Sequence, residues 1–117
     1  CMALYWSGAP HDTPGVVGLQ RDFDAIERAG RTAREAVWAQ SLAGLAEAVR
    51  QSYAVQLAEG MAALPESAGG VTPLARKYCG GGHGGYGLYL CATPADRDRL
   101  CQAANFRPIE PYVLSGR

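Results

Sequence analysis

Between two short β-prone stretches, residues 74–79 and 86–92, stand Gly80, Gly81, Gly82, His83, Gly84 and Gly85, five glycines in six positions. Nothing else in the chain constrains its folding as tightly. Two strands joined by so few residues pair antiparallel, because a parallel connection needs a crossover of about a dozen residues or more. A hairpin turn requires positive φ at only one or two positions, and each additional glycine costs roughly 0.5–1 kcal/mol of chain entropy. The surplus predicts main chain that comes close to a ligand or to another backbone, with consecutive N–H groups shaping an anion-sized concavity. A plain turn is the competing reading.

The run contains G-x-G-x-x-G, but its context excludes the familiar nucleotide loops. A dinucleotide fingerprint leads directly into a helix and has an acidic residue about twenty positions on. Here the strand-like Tyr86-Gly87-Leu88-Tyr89-Leu90 follows, and positions 105 and 106 are Asn and Phe. A Walker loop ends in Gly-Lys-Ser or Gly-Lys-Thr, whereas the only lysine, Lys77, precedes the run. A protein-kinase glycine loop does join two strands, but its Val-Ala-Ile-Lys, His-Arg-Asp and Asp-Phe-Gly partners are missing from the sequence.

Around the hairpin, periodicity and punctuation supply the remaining elements. Met2 to Trp6 is a strand bounded by Gly8 and Pro10, and residues 11–15 turn into a helix with Thr13-Pro14 as N-cap and first position. Leu19, Phe23 and Ile26 recur at helical spacing, with Gly30 as a stop or break. A second helical stretch covers residues 31–58, with Leu42, Leu45, Val49, Tyr53 and Leu57 as its stripe and Ser41 re-capping it after a kink. Glu27, Arg31 and Glu35 at i,i+4 spacing read as solvated helix surface. Residues 61–73, with two prolines and Gly69-Gly70, are a loop. Thr93-Pro94-Ala95-Asp96 opens a helix ending near Asn105, and residues 107–114 close the chain as a strand that Pro108 and Pro111 assign to an edge. The order β-α-α-β-β-α-β predicts an α+β, ferredoxin-like fold, a split β-α-β antiparallel sheet with helices packed on one face.

At 117 residues, with 48% hydrophobic and 19% charged, the chain is one domain spanning 1–117 and buries a core without staples. Eleven basic residues balance eleven acidic ones, and no aromatic-basic stripe is present, so nucleic acid is not an expected partner. No apolar run nears the ~20 residues of a membrane span, so a membrane is not expected either. Cys1, Cys79, Cys91 and Cys101 lack a C-x-x-C pair, which favours reduced thiols and a cytoplasmic location, while the even count leaves two disulfides formally open. Cys79 and His83 are spaced as half a zinc site, but no matching second half follows, so no metal ligand is assigned. The chain enters its first strand with neither an initiator Met at position 1 nor a signal-peptide pattern, which predicts a piece of a longer protein.

The stretch from Ala75 to Leu90 resembles the third conserved motif of the GHMP kinases, the superfamily of galactokinase, homoserine kinase, mevalonate kinase and phosphomevalonate kinase. Lys77, Cys79, Gly80, Gly82, Gly84 and Gly85 match that motif, Gly81 replaces its usual Ala, and His83 replaces a Gly. Ala3-Leu4-Tyr5-Trp6-Ser7-Gly8 is similar to the opening strand of sugar-kinase C-terminal domains. The helical region that includes Arg50-Gln51-Ser52-Tyr53 is similar to the part preceding the third motif, and Pro94 to Arg99 to the start of the last helix.

The resemblance implies the C-terminal domain of an ATP-dependent kinase of the sugar and heptose branch, with a ferredoxin-like fold. It places residues 80–85 near the phosphate and substrate site, against the ATP-phosphate loop of an N-terminal domain of the same parent. The family's second motif, Pro-x-x-x-Gly-Leu-Gly-Ser-Ser, is missing from the sequence. ATP and Mg²⁺ are therefore expected for the parent enzyme and not for this chain alone, and no catalytic residue is assigned here. Arg76 and Lys77 adjoin the loop and can support an anion or be ordinary surface; His83 can contact substrate or point to solvent. Expected partners are the N-terminal kinase domain and a small-molecule sugar. Two other readings are a stand-alone ferredoxin-like module that binds a small anion without catalysis, and a degenerate domain serving only as an assembly surface.

Overall fold

The computed structural model describes residues 1–8, 22–79 and 85–109. Over them run β1 (Met2–Trp6), α1 (Phe23–Trp38), α2 (Leu42–Ala58), β2 (Ala75–Tyr78), β3 (Tyr86–Leu90), α3 (Pro94–Leu100) and β4 (Phe106–Ile109). The strands form one antiparallel sheet in the order β2-β3-β1-β4, so the fold is α+β and ferredoxin-like in its topology. Pro108 lies on the edge strand β4, opposite Ala3. That position is open to a residue with no N–H to give. The expected helix start at Thr13-Pro14 and the far part of the last strand, residues 110–114, lie outside the described residues.

Register divides the strand side chains between two faces. One face carries Ala3, Tyr5, Arg76, Tyr78, Tyr89 and Phe106. Here Tyr89 and Leu100 are fully buried, with Tyr53 of α2 and Leu64 packed beside them. The rings interlock: Tyr5 and Phe106 have centroids 4.7 Å apart, and Tyr89 meets Phe106 edge-on at 5.0 Å. Phenolic oxygens then tie down the irregular segment that follows α2. Tyr89 Oη donates to the Pro65 carbonyl (2.6 Å), Tyr78 Oη donates to that of Ala62 (2.7 Å), and Tyr53 Oη accepts from Leu64 N (2.8 Å). Buried main chain outside regular structure needs such partners. Within this segment Ala68 and Val71 exchange two backbone hydrogen bonds around Gly69-Gly70, both at positive φ, a tight type I′-like turn. A Cβ on Gly69 would stand 2.5 Å from the Arg99 carbonyl oxygen, so the turn seats directly on α3.

The other face carries Met2, Leu4, Trp6, Lys77, Leu88 and Leu90. Ala46 and Val49 of α2 cover its Ala75–Leu90 corner. Helix α2 therefore serves both faces, because it runs along the outer edge of β2. Gln56 Nε2 donates to the Tyr78 carbonyl (3.1 Å) while its Oε1 accepts from Tyr78 N (2.8 Å), and Arg50 donates to the Leu74 carbonyl (2.8 Å). A side-chain amide here stands in for a fifth strand and closes an edge that would otherwise invite pairing. Helix α1 packs on α2 through buried Ala29 and Ala36.

The helical breaks differ from expectation. Helix α1 runs through Gly30, and the chain turns at residues 39–41 instead. The stop is a Schellman motif: Ser41 N donates to the Ala36 carbonyl, Gln40 N donates to that of Val37, and Gln40 takes φ +52°. Glycine usually fills this left-handed position, and a glutamine there carries no sequence signal. Ser41 does cap α2 as expected, accepting from Gly44 N at 2.9 Å. Thr93 likewise caps α3 through Asp96 N, but that helix ends at Leu100, ahead of Asn105, whose φ of +72° turns the chain into β4.

Candidate functional site

The glycine run connects β2 to β3 at the end of the sheet where β1 finishes and β4 begins. Residues 80–84, including His83, lie outside the described residues, so the site is built from its base. Cys79 N donates to the Tyr86 carbonyl (2.9 Å), and Gly85, at φ +79°, accepts from Ser7 N (3.1 Å). The loop thus springs from a paired ribbon stitched to the end of β1. Beside it Trp6 and Tyr86 face each other across the strands with centroids 5.0 Å apart, both more than a third exposed. This aromatic shelf adjoining the loop was not anticipated from sequence; the direct pairing of positions 6 and 86 arises only from the β1–β3 register.

Arg76 and Lys77 occupy β2, two and one positions before its last residue, and neighbouring strand residues point to opposite faces. Arg76 turns to the tyrosine face, with its guanidinium 5.0 Å from the centre of the Tyr53 ring and its Nε buried without a hydrogen-bond partner among the described residues. Lys77 turns the other way, into a groove between α1 and α2. The strand therefore does not bring the two cations together on one ligand. Burial lowers Lys77 from the usual lysine value, with Cys79 opposing the shift. Desolvation pushes the Cys79 thiol up although the residue is exposed, with Lys77 opposing that change.

Among the described residues, clefts lie on both sides of the α1–α2 contact. One, about 390 Å³, lies between the start of α1 and the second half of α2, and its polar lining is Asp22, Arg28, Gln51 and Glu59. Gln51 Oε1 is buried there without a partner among the described residues. The other is the groove of about 280 Å³ whose lining includes Lys77. The missed residue with the clearest prior signal is Gln56. It stands three residues after Tyr53 and seven after Val49, a polar residue on the apolar stripe of α2.

Chemically, the described residues offer binding: two cations on opposite faces of β2 and an aromatic shelf beside the hairpin base. Among them no group of three or more His, Cys, Asp or Glu is placed to hold a metal ion, all four cysteines are free thiols, and no helix is long and apolar enough to cross a membrane. No family model, no curated protein and no solved structure matches the chain.

Proposed function

We propose that this chain is the C-terminal, substrate-cleft half of a cytoplasmic ATP-dependent kinase of the GHMP type, acting on a sugar or sugar phosphate. One observation carries the reading. A glycine run with the pattern of the third GHMP motif joins β2 and β3 of a split β-α-β sheet, and Gly85 at its base holds the positive φ that such a loop requires. The partly exposed Trp6–Tyr86 pair beside the loop supports it, because exposed aromatics at a loop base suit a docking surface better than bulk water.

Phosphoryl transfer is largely positioning and charge stabilisation. In this reading the N-terminal domain of the parent holds ATP and Mg²⁺, and this chain supplies main chain slim enough to approach the phosphates and the acceptor. Neither Arg76, over Tyr53, nor Lys77, in the helical groove, is given a catalytic role.

The test uses the parent protein with its upstream reading frame, Mg-ATP and a panel of sugars and sugar phosphates. Gly82→Val is expected to lower kcat/KM by about a hundredfold or more, because backbone misplacement near reacting groups is costly. The isolated 117-residue chain is expected to transfer no phosphate. Unchanged kinetics in Gly82→Val, or turnover by the isolated chain, overturns the proposal. Saturable phosphate binding by a parent devoid of any kinase activity favours the anion-binding module instead.

A further inference from the structure

The kinase reading leaves Lys77 unused. It is partly buried, it forms no ion pair among the described residues, and its side of β2 faces the α1–α2 groove. Every other described residue lining that groove is uncharged: Ile26, Ala29, Gly30 and Ala33 from α1, and Leu45, Ala48, Val49 and Ser52 from α2. A Cβ placed on Gly30 meets nothing within 4 Å, so the α1 wall is open where a side chain would ordinarily fill it. Glycine inside a helix costs about 1 kcal/mol relative to alanine, and here packing gives no return for it. The result is an apolar trough with one uncompensated ammonium and one hydroxyl, Ser52, among its linings.

We propose that this groove binds a small monocarboxylate with an apolar body, its carboxylate on Lys77 and its hydrocarbon between α1 and α2. Charge complementarity selects the head group. A single cation suits a singly charged anion, whereas a phosphate dianion seeks several donors. The volume of about 280 Å³ selects the tail, since it lies at the lower end of small-molecule sites and accommodates a short chain or one ring. An unoccupied groove leaves the ammonium partly desolvated without a counter-ion, and a bound carboxylate relieves that cost while burying its own tail. Apart from Lys77, three residues before the glycine run, the groove is lined by residues of α1 and α2, and carboxylate binding is tested without reference to kinase activity.

Octanoate is the probe and n-octanol its neutral control, titrated into the 117-residue chain and followed by amide chemical shifts and calorimetry. Octanoate is expected to bind saturably, to shift amides of α1 and α2 around residues 26–33 and 45–52, and to bind about tenfold or more tighter than octanol, the consequence of a charge-assisted contact. Lys77→Met is expected to erase that preference while leaving octanol binding, and Lys77→Arg to retain it. Gly30→Leu, which fills the trough, is expected to abolish both. Circular dichroism establishes that each variant is folded; Lys77→Met also removes an unpaired charge and is expected to melt no lower than the wild type. No octanoate binding, equal affinity for octanoate and octanol in the wild type, or a preference that survives Lys77→Met overturns the proposal.

Discussion

The two faces of the sheet treat their polar groups in opposite ways. On the tyrosine face each buried phenol ends in a hydrogen bond to the 61–65 main chain, and the cation that β2 places there, Arg76, lies over an aromatic ring. On the face toward the α1–α2 groove, a cation one residue along the same strand lies among mostly alkyl side chains, without a counter-charge among the described residues. The first face has the character of a folding core, with partners for its phenols supplied from within the chain. The second has that of a site, where the chain leaves a requirement for something else to meet.

Four measurements break or sharpen this contrast. The largest effect is expected at Tyr89, fully buried, ringed by Tyr5 and Phe106 and bonded to Pro65. Tyr89→Ala should lose about 3–5 kcal/mol in urea unfolding, whereas Lys77→Ala in the groove should lose under about 1 kcal/mol, in line with a side chain whose packing is partly offset by charge desolvation. Equal losses at the two sites would erase the distinction between core and site.

Next comes Gln56, which holds both main-chain groups of Tyr78. Gln56→Leu should cost about 2–3 kcal/mol by leaving a donor and an acceptor unpaired at the sheet edge. Arg50→Leu, which removes one exposed bond to the Leu74 carbonyl, should cost under about 1 kcal/mol. A Gln56 variant as stable as the wild type would mean that α2 does not close the edge.

The third measurement is alkaline stability. Burial raises Tyr78 and Tyr89 above the ordinary value of 10.0. The unfolded chain therefore releases these protons first, and above pH 10 the native state holds more of them, so stability falls as pH rises. Lys77 acts in the opposite sense: its value lies below 10.5 in the folded protein, the unfolded chain binds the proton longer, and its contribution rises toward that pH. Burial likewise raises the Cys79, Cys91 and Cys101 thiols above 9.0. With these thiols and two phenols against one amine, denaturation midpoints should decline above about pH 9, less steeply in Tyr89→Phe and more steeply in Lys77→Met. A Tyr89→Phe profile that parallels the wild type would show that this phenol titrates alike in both states.

The smallest effect is a gain. Gly30 sits inside α1 without a positive φ and with open space where its Cβ would be, so Gly30→Ala should stabilise by about 0.5–1 kcal/mol in thermal melts. A loss there would mean that the groove wall is already in contact with something.

Much of the fold was legible because its signals are local. β1, the β2–β3 hairpin, the Ser41 and Thr93 caps and the edge-strand proline each depend on residues a few positions apart, and each is where the sequence suggested. The end of α1 was not legible, because Gln40 adopts a left-handed conformation that glycine usually signals, while Gly30, the usual signal, continues the helix. At the site, Arg76 and Lys77 were identified as the cations nearest the loop, and strand alternation implies that they diverge. What each one meets was not readable from the chain.

Sequence alone determined the β-α-α-β-β-α-β order and the presence of a glycine-rich hairpin, since helix periodicity, caps and turn chemistry act over one or two turns of chain. Tertiary structure decided that Gln56 completes β2 across 22 residues, that Tyr89 secures Pro65 across 24, and that Lys77 faces a helical groove while Arg76 lies against Tyr53. Those contacts depend on how the edge of the sheet meets α2, and that docking is set by the joint fit of apolar surfaces far apart in sequence, which no local pattern encodes.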